Sequence, residues 1–339
     1  MPTAQIASQP TQTTPPKMQK KLTTVKKSKK EKIIFHLGPH KTGTTSFQSA
    51  LAKAEVQINN SGISILNVQS RFSNNYRKWR ESYAREIHSF LLEKQDRKVT
   101  IERLSRKFSE LKEISEMHDS ALIVSDENLL GVPPGHFIAR SEKRARDFYL
   151  ATPVVIEAIS KAFEGFAVEV ILVKRDLKGF LCSSYRDFIS KLQKSEDLYE
   201  FTDNLSVNFV TQYNDFYKKA ASKFNIAVKI YDFSYFTNNT NEIVYELTNC
   251  KMTNQQDQIR NKSLSWKAIE LAIERIPQIQ SPEEAKRFRE KLYNNARGGS
   301  PKLEAQAKGL IKRLMEKQSS NIWNRATKKL KQIVKYRSK

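Results

Sequence analysis

Residues 33–46 read Ile33-Ile34-Phe35-His36-Leu37-Gly38-Pro39-His40-Lys41-Thr42-Gly43-Thr44-Thr45-Ser46. The first five form a short apolar run of the kind that makes a buried strand. A Gly/Thr-rich turn follows from Gly38 to Ser46. Phe47, Ala50, Leu51 and Ala54 then recur at spacings of three and four, which predicts a helix. Strand, glycine turn and helix open many nucleotide-binding α/β folds. Glycine lets the backbone fold tightly, so that successive N–H groups converge on an anion at the helix N-terminus. Lys41 adds a full positive charge, and the hydroxyls of Thr42, Thr44, Thr45 and Ser46 beside Gly43 add donors. The chemistry implied is a phosphate-type group held at the start of a helix.

The rest of the chain extends this pattern. Strand-like runs recur at 62–66, 121–124, 168–173 and, more weakly, 228–231. Residues 72–118 read as helical, with Phe90, Leu91, Leu104, Phe108 and Leu111 as an apolar stripe. Residues 131–150 read as a loop running into a helix, with a basic cluster at Arg140, Lys143, Arg144 and Arg146 suited to an acidic glycan or to an exposed helix face. Helix resumes from 265, and 303–335 form a basic amphipathic pattern. Such alternation predicts an α/β fold with a parallel sheet flanked by helices, carrying helical insertions and basic tails.

Charge is unevenly spread over the 339 residues. Of the net +23, residues 1–32 carry +7 and residues 302–339 carry +10, leaving +6 for 33–301. The expected organisation is a disordered basic arm at 1–32, one catalytic domain at 33–301 and a basic helical segment at 302–339. Basic tails attract polyanions and anionic membrane surfaces without specifying a nucleic acid. The apolar runs fall far short of the roughly 18 residues a membrane span needs. No apolar signal core or anchor is seen, and Cys182 and Cys250 make no disulfide framework. The expectation is a cytoplasmic protein, peripheral to membranes where its tails meet anionic lipid.

The turn does not fit the Walker A pattern G-x-x-x-x-G-K-S/T, because Lys41 precedes the second glycine and Thr44 stands where that lysine belongs. Gly38-x-x-Lys41-Thr42-Gly43-Thr44-Thr45-Ser46 instead resembles the 5′-phosphosulfate loop of sulfotransferases that use 3′-phosphoadenosine 5′-phosphosulfate (PAPS). The resemblance extends over about residues 33–275 and implies a P-loop-type fold. It also implies a second anion site. Arg175 follows the strand 168–173 and Ser183 lies eight residues later, as in the family's R-D-P-x-x-R-x-x-S-x-Y, where Arg and Ser grip the 3′-phosphate. Leu177 replaces the usual Pro, Lys178 and Gly179 sit where an Arg is often found, and Ser184 could stand in for Ser183. Arg260-Asn261-Lys262-Ser263 resembles a third segment, making Arg260 and Lys262 candidate nucleotide contacts or part of a simple helix cap at Trp266.

The same resemblance assigns the chemistry. Lys41 would stabilise the leaving phosphate, and Glu127, in Ser125-Asp126-Glu127-Asn128-Leu129, would be the general base, as in the S-S-E-N-L segment of bacterial members. His40 and His136 are the rival bases, while His36, mid-strand, is expected to be packed. No metal-ligand spacing appears. The implied reaction moves a sulfuryl group from PAPS to a hydroxyl of a carbohydrate-type acceptor and releases adenosine 3′,5′-bisphosphate. The competing readings are a P-loop nucleotide kinase or NTPase, and a basic polyanion-binding protein without catalysis.

Overall fold

A computed structural model describes residues 31–115, 121–139, 141–146, 150–192, 194–206, 209, 212–218, 226–251, 264–295, 298–316 and 319. The strands are β1 (Lys32–Gly38), β2 (Ile63–Leu66), β3 (Ala121–Ser125), β4 (Ala167–Lys174) and β5 (Ala227–Asp232). Each coincides with one of the apolar runs, the weak fifth included. They form a single parallel sheet in the order β2-β3-β1-β4-β5.

The helices in chain order are α1 (Thr44–Lys53), α2 (Glu55–Asn60), α3 (Ser73–Leu91), α4 (Arg97–Ile114), α5 (Ala151–Ala162), α6 (Leu177–Ser190) and α7 (Leu198–Asp203). There follow α8 (212–218), α9 (Phe233–Asn238), α10 (Thr240–Thr248), α11 (Trp266–Arg275), α12 (Pro282–Asn295) and α13 (301–316). Side chains alternate across the strands, so the sheet has two apolar faces. Ile33, Phe35, Leu122, Val124, Val170 and Leu172 face a large core shared with α3–α8 and α11–α13. Ile34, Ile65, Ile123 and Ile171 face a smaller core built with α1, α2, α9 and α10. No described helix is long and apolar enough to cross a membrane.

The helix expected over 72–118 is two helices. The chain leaves α3 through Glu93 at φ 60°, and the Asp96 side chain starts α4 by accepting the N–H groups of Lys98 and Val99. Residues 116–120 lie outside the described residues. The expected division at 301/302 also fails to match the packing, because Leu303, Leu310 and Leu314 of α13 are buried in the larger core.

The described residues 131–139 and 141–146 are irregular, with an antiparallel bridge from Phe137 to Arg144. Arg144 is not a free cation for an acidic glycan. Its guanidinium donates twice to the Glu196 carboxylate, at 2.5 and 2.9 Å, and lies 4.6 and 4.7 Å from the ring centres of Phe137 and Phe188. Both charged groups are buried. Arg144→Ala would leave the buried Glu196 carboxylate only the exposed Lys194 ammonium group at 3.6 Å, so a stability loss of up to about 3–5 kcal/mol is expected in denaturant unfolding. Arg140 lies outside the described residues.

Candidate active site

Connections leaving β1 and β4 run to opposite sides of the sheet, although these strands are neighbours. Open parallel sheets bind ligands at the carboxyl ends of such strands. Lys41 follows β1, Glu127 follows β3, Arg175 follows β4 and Phe233 follows β5, so all four stand at that one edge.

The turn after β1 is shaped by close approaches. Gly38 has φ 90°, and a Cβ there would sit 2.9 Å from the Glu127 Cβ. Gly43 has φ 82° and caps α1, and a Cβ there would meet the Thr237 methyl group at 2.6 Å. Only glycine satisfies both the positive φ and the missing space. Gly43 supplies no side-chain cap, so the first N–H groups of α1 begin the helix beside Lys41 without one. Thr44 is buried, whereas Thr45 and Ser46 are half-buried. The Thr42 hydroxyl is spent inside the turn: it is fully buried and donates to the Pro39 carbonyl. It is therefore not the ligand donor expected from the sequence.

Lys41 itself has φ 66° and reaches across to α6, where its Nζ lies 2.5 Å from Asp187 Oδ1. The other carboxylate oxygen takes Lys191 at 2.8 Å. Burial alone would raise the Asp187 carboxyl, but the two ammonium groups outweigh it and hold it well below the usual carboxylate range. Sequence reasoning missed Asp187. A signal existed: it lies four residues after Ser183, so a helix puts both on one side.

Arg175 ties the two motifs together. Its Nη1 donates to the Lys41 carbonyl at 2.8 Å, and its guanidinium carbon lies 4.3 Å from the centre of the Phe233 ring. Tyr213 of α8 donates to the Arg175 carbonyl at 2.8 Å, fixing the strand end. Leu177 in place of proline does not blur the helix start, because Asp176 accepts the Gly179 N–H at 2.6 Å. Beside Arg175 opens a cleft of about 580 Å³ lined by Ser183, Arg186, Trp266 and Lys308. Ser183, not Ser184, faces this cleft. Ser184 is buried and donates to the Pro134 carbonyl at 3.0 Å. Arg260 and Lys262 lie outside the described residues.

Glu127 is half-buried at the first position of a 3₁₀ turn, with Oε2 accepting Gln48 Nε2 at 3.0 Å. Its neighbour Asp126 is buried and bonded to Tyr76 at 3.1 Å and Asn128 at 2.6 Å, a structural role. His40 and His136 are buried, and each places Nε2 against a carbonyl: Gly131 at 2.9 Å and Ser184 at 3.1 Å. A neutral imidazole facing a carbonyl must donate from that nitrogen. His36 is packed as expected, within 2.8 Å of the Ser125 hydroxyl and stacked on Phe236. Among the described residues no group of three or more His, Cys, Asp or Glu could hold a metal ion.

These three histidines make stability depend on pH. Burial pushes His36 down to about 3, His40 to about 4 and His136 to about 3. The unfolded chain takes up their protons near the ordinary value of about 6.5, while the folded chain does not. Their contribution is therefore whole above about pH 6.5 and is lost as pH falls toward 4 and then 3. The expected slope is up to about 1.4 kcal/mol per pH unit for each histidine. Melting temperatures measured from about pH 7 to about pH 4 should fall, and His36→Phe should flatten the curve. A flat profile in the parent protein would refute the assignment.

The chain matches no protein-family model, and neither a curated protein nor a solved structure matches it significantly.

Proposed function

We propose that this chain is a sulfotransferase with a P-loop-type fold, moving a sulfuryl group from PAPS to a hydroxyl of a carbohydrate-type acceptor. The observation that carries this reading is the 2.8 Å hydrogen bond from Arg175 to the Lys41 carbonyl. Two motifs separated by 134 residues meet there, which supports reading them as the two halves of one PAPS site.

In this reading the turn Gly38–Ser46 holds the 5′-phosphosulfate through backbone N–H groups, with Thr45 and Ser46 at the helix start. Arg175 and Ser183 hold the 3′-phosphate at the cleft. The acceptor oxygen attacks sulfur, and the bond from sulfur to the bridging oxygen of the 5′-phosphate breaks. Glu127 takes the hydroxyl proton, and Lys41 offsets charge on the departing phosphate. Asp187 fixes the Lys41 ammonium group before the donor arrives. Adenosine 3′,5′-bisphosphate leaves.

The test is a transfer assay with sulfur-labelled PAPS against a panel of glycans, lipids and phenols. Label should move to a glycan hydroxyl. Label moving to lipids or phenols alone would replace the acceptor class. Absence of PAPS binding by calorimetry would sink the whole reading.

A further inference from the structure

Arg186 has no role in the chemistry above. It lies on α6 three residues after Ser183 and lines the same cleft. Its guanidinium carbon sits 4.1 Å from the centre of the Trp266 ring. Its Nε is buried without a hydrogen-bond partner, and so is the Nε of Arg175 on the same cleft. Neither arginine forms an ion pair with a carboxylate among the described residues. Lys178 and Lys308 bring the lining cations to four, against the two carboxylates Asp176 and Glu304. Asp176 is engaged in capping α6.

Two guanidiniums sharing a cleft repel each other, and unpartnered buried N–H groups cost free energy. Burial disfavours the charge on Arg186, and the nearby charge of Arg175 acts in the same direction. An anion held in the cleft that both residues line offsets their mutual repulsion. A guanidinium is a planar fork matched to phosphate oxygens, and stacking on an aromatic ring holds that fork in one orientation.

We propose that Arg186 closes a two-arginine clamp with Arg175 on the second phosphate of a nucleoside 3′,5′-bisphosphate, with Trp266 fixing its orientation. This rests on the PAPS reading and adds to it a residue that sets preference for the doubly phosphorylated nucleotide. Lys308 lines the same cleft.

Calorimetry on the full chain with adenosine 3′,5′-bisphosphate and with AMP tests the clamp. Arg186→Gln should lose about ten- to a hundredfold in affinity for the bisphosphate, the scale of one charge-assisted contact, and leave AMP affinity unchanged. Arg186→Lys keeps the charge without the fork and should recover part of the loss. It also carries the test should the glutamine variant melt early. Equal losses for both nucleotides, or no loss for either, would overturn the clamp while leaving the sulfuryl-transfer reading in place. If the unmodified protein binds neither nucleotide, that reading fails and the clamp fails with it.

Discussion

Glu127→Gln should slow sulfuryl transfer by about 10²–10⁴-fold, the usual contribution of a positioned general base, with nucleotide affinity nearly intact. The expectation follows from where the side chain stands. Its Cβ packs over Gly38 at the mouth of the turn, and its carboxylate is held by Gln48 rather than by a cation. A glutamine keeps the volume and can still turn a carbonyl oxygen toward Gln48 Nε2, so the turn should hold its shape. Only the capacity to accept a proton is lost. Lys41→Ala should behave differently, weakening nucleotide binding and turnover together, because in the proposed reaction the lysine acts on the donor and Glu127 on the acceptor. Initial rates together with calorimetry on both variants separate the two roles. Full turnover in Glu127→Gln would remove it as the base. The alternatives would then have to act from worse positions, since His40 and His136 are buried and both spend Nε2 on carbonyls.

The strands were legible because each is a short run of buried apolar residues. Even β5, the least regular, kept enough pattern despite lying at the sheet edge with only Tyr231 of its six residues buried. The strand order was not legible, since nothing local states that β3 and β4 flank β1. Yet that order is what brings Glu127 and Arg175 to the same turn. Ser183 and Ser184 could not be separated by spacing alone. One step along a helix turns a side chain by roughly 100°, which sends Ser184 into the core and leaves Ser183 on the cleft. Asp187 was recoverable by continuing that register one turn. Arg144 was not, because its partner Glu196 lies 52 residues away and no local pattern announces a buried pair.

Ending the chain at 301 should abolish the native fold. The charge distribution made 302–339 read as a basic helical segment separate from the domain. Its first half is core instead. Leu303, Leu310 and Leu314 are buried in the larger core. At about 1.5–3 kcal/mol for each buried leucine, their loss removes about 5–9 kcal/mol, a large part of the roughly 5–15 kcal/mol that holds a typical domain together. Polar ties go with them: Gln306 to Asp197 at 2.9 Å and Arg313 to Asp203 at 3.1 Å. Circular dichroism melts of the full-length and truncated chains decide the matter. A cooperative transition at the full-length temperature in the shorter chain would show that α13 only rests on the surface. The functional consequence is coupled to the structural one, because Glu304, Ala307 and Lys308 of α13 form a wall of the cleft beside Arg175 and Arg186. A chain ending at 301 that somehow stayed folded should still bind adenosine 3′,5′-bisphosphate more weakly. α13 therefore belongs to the body of the protein and lines its candidate site.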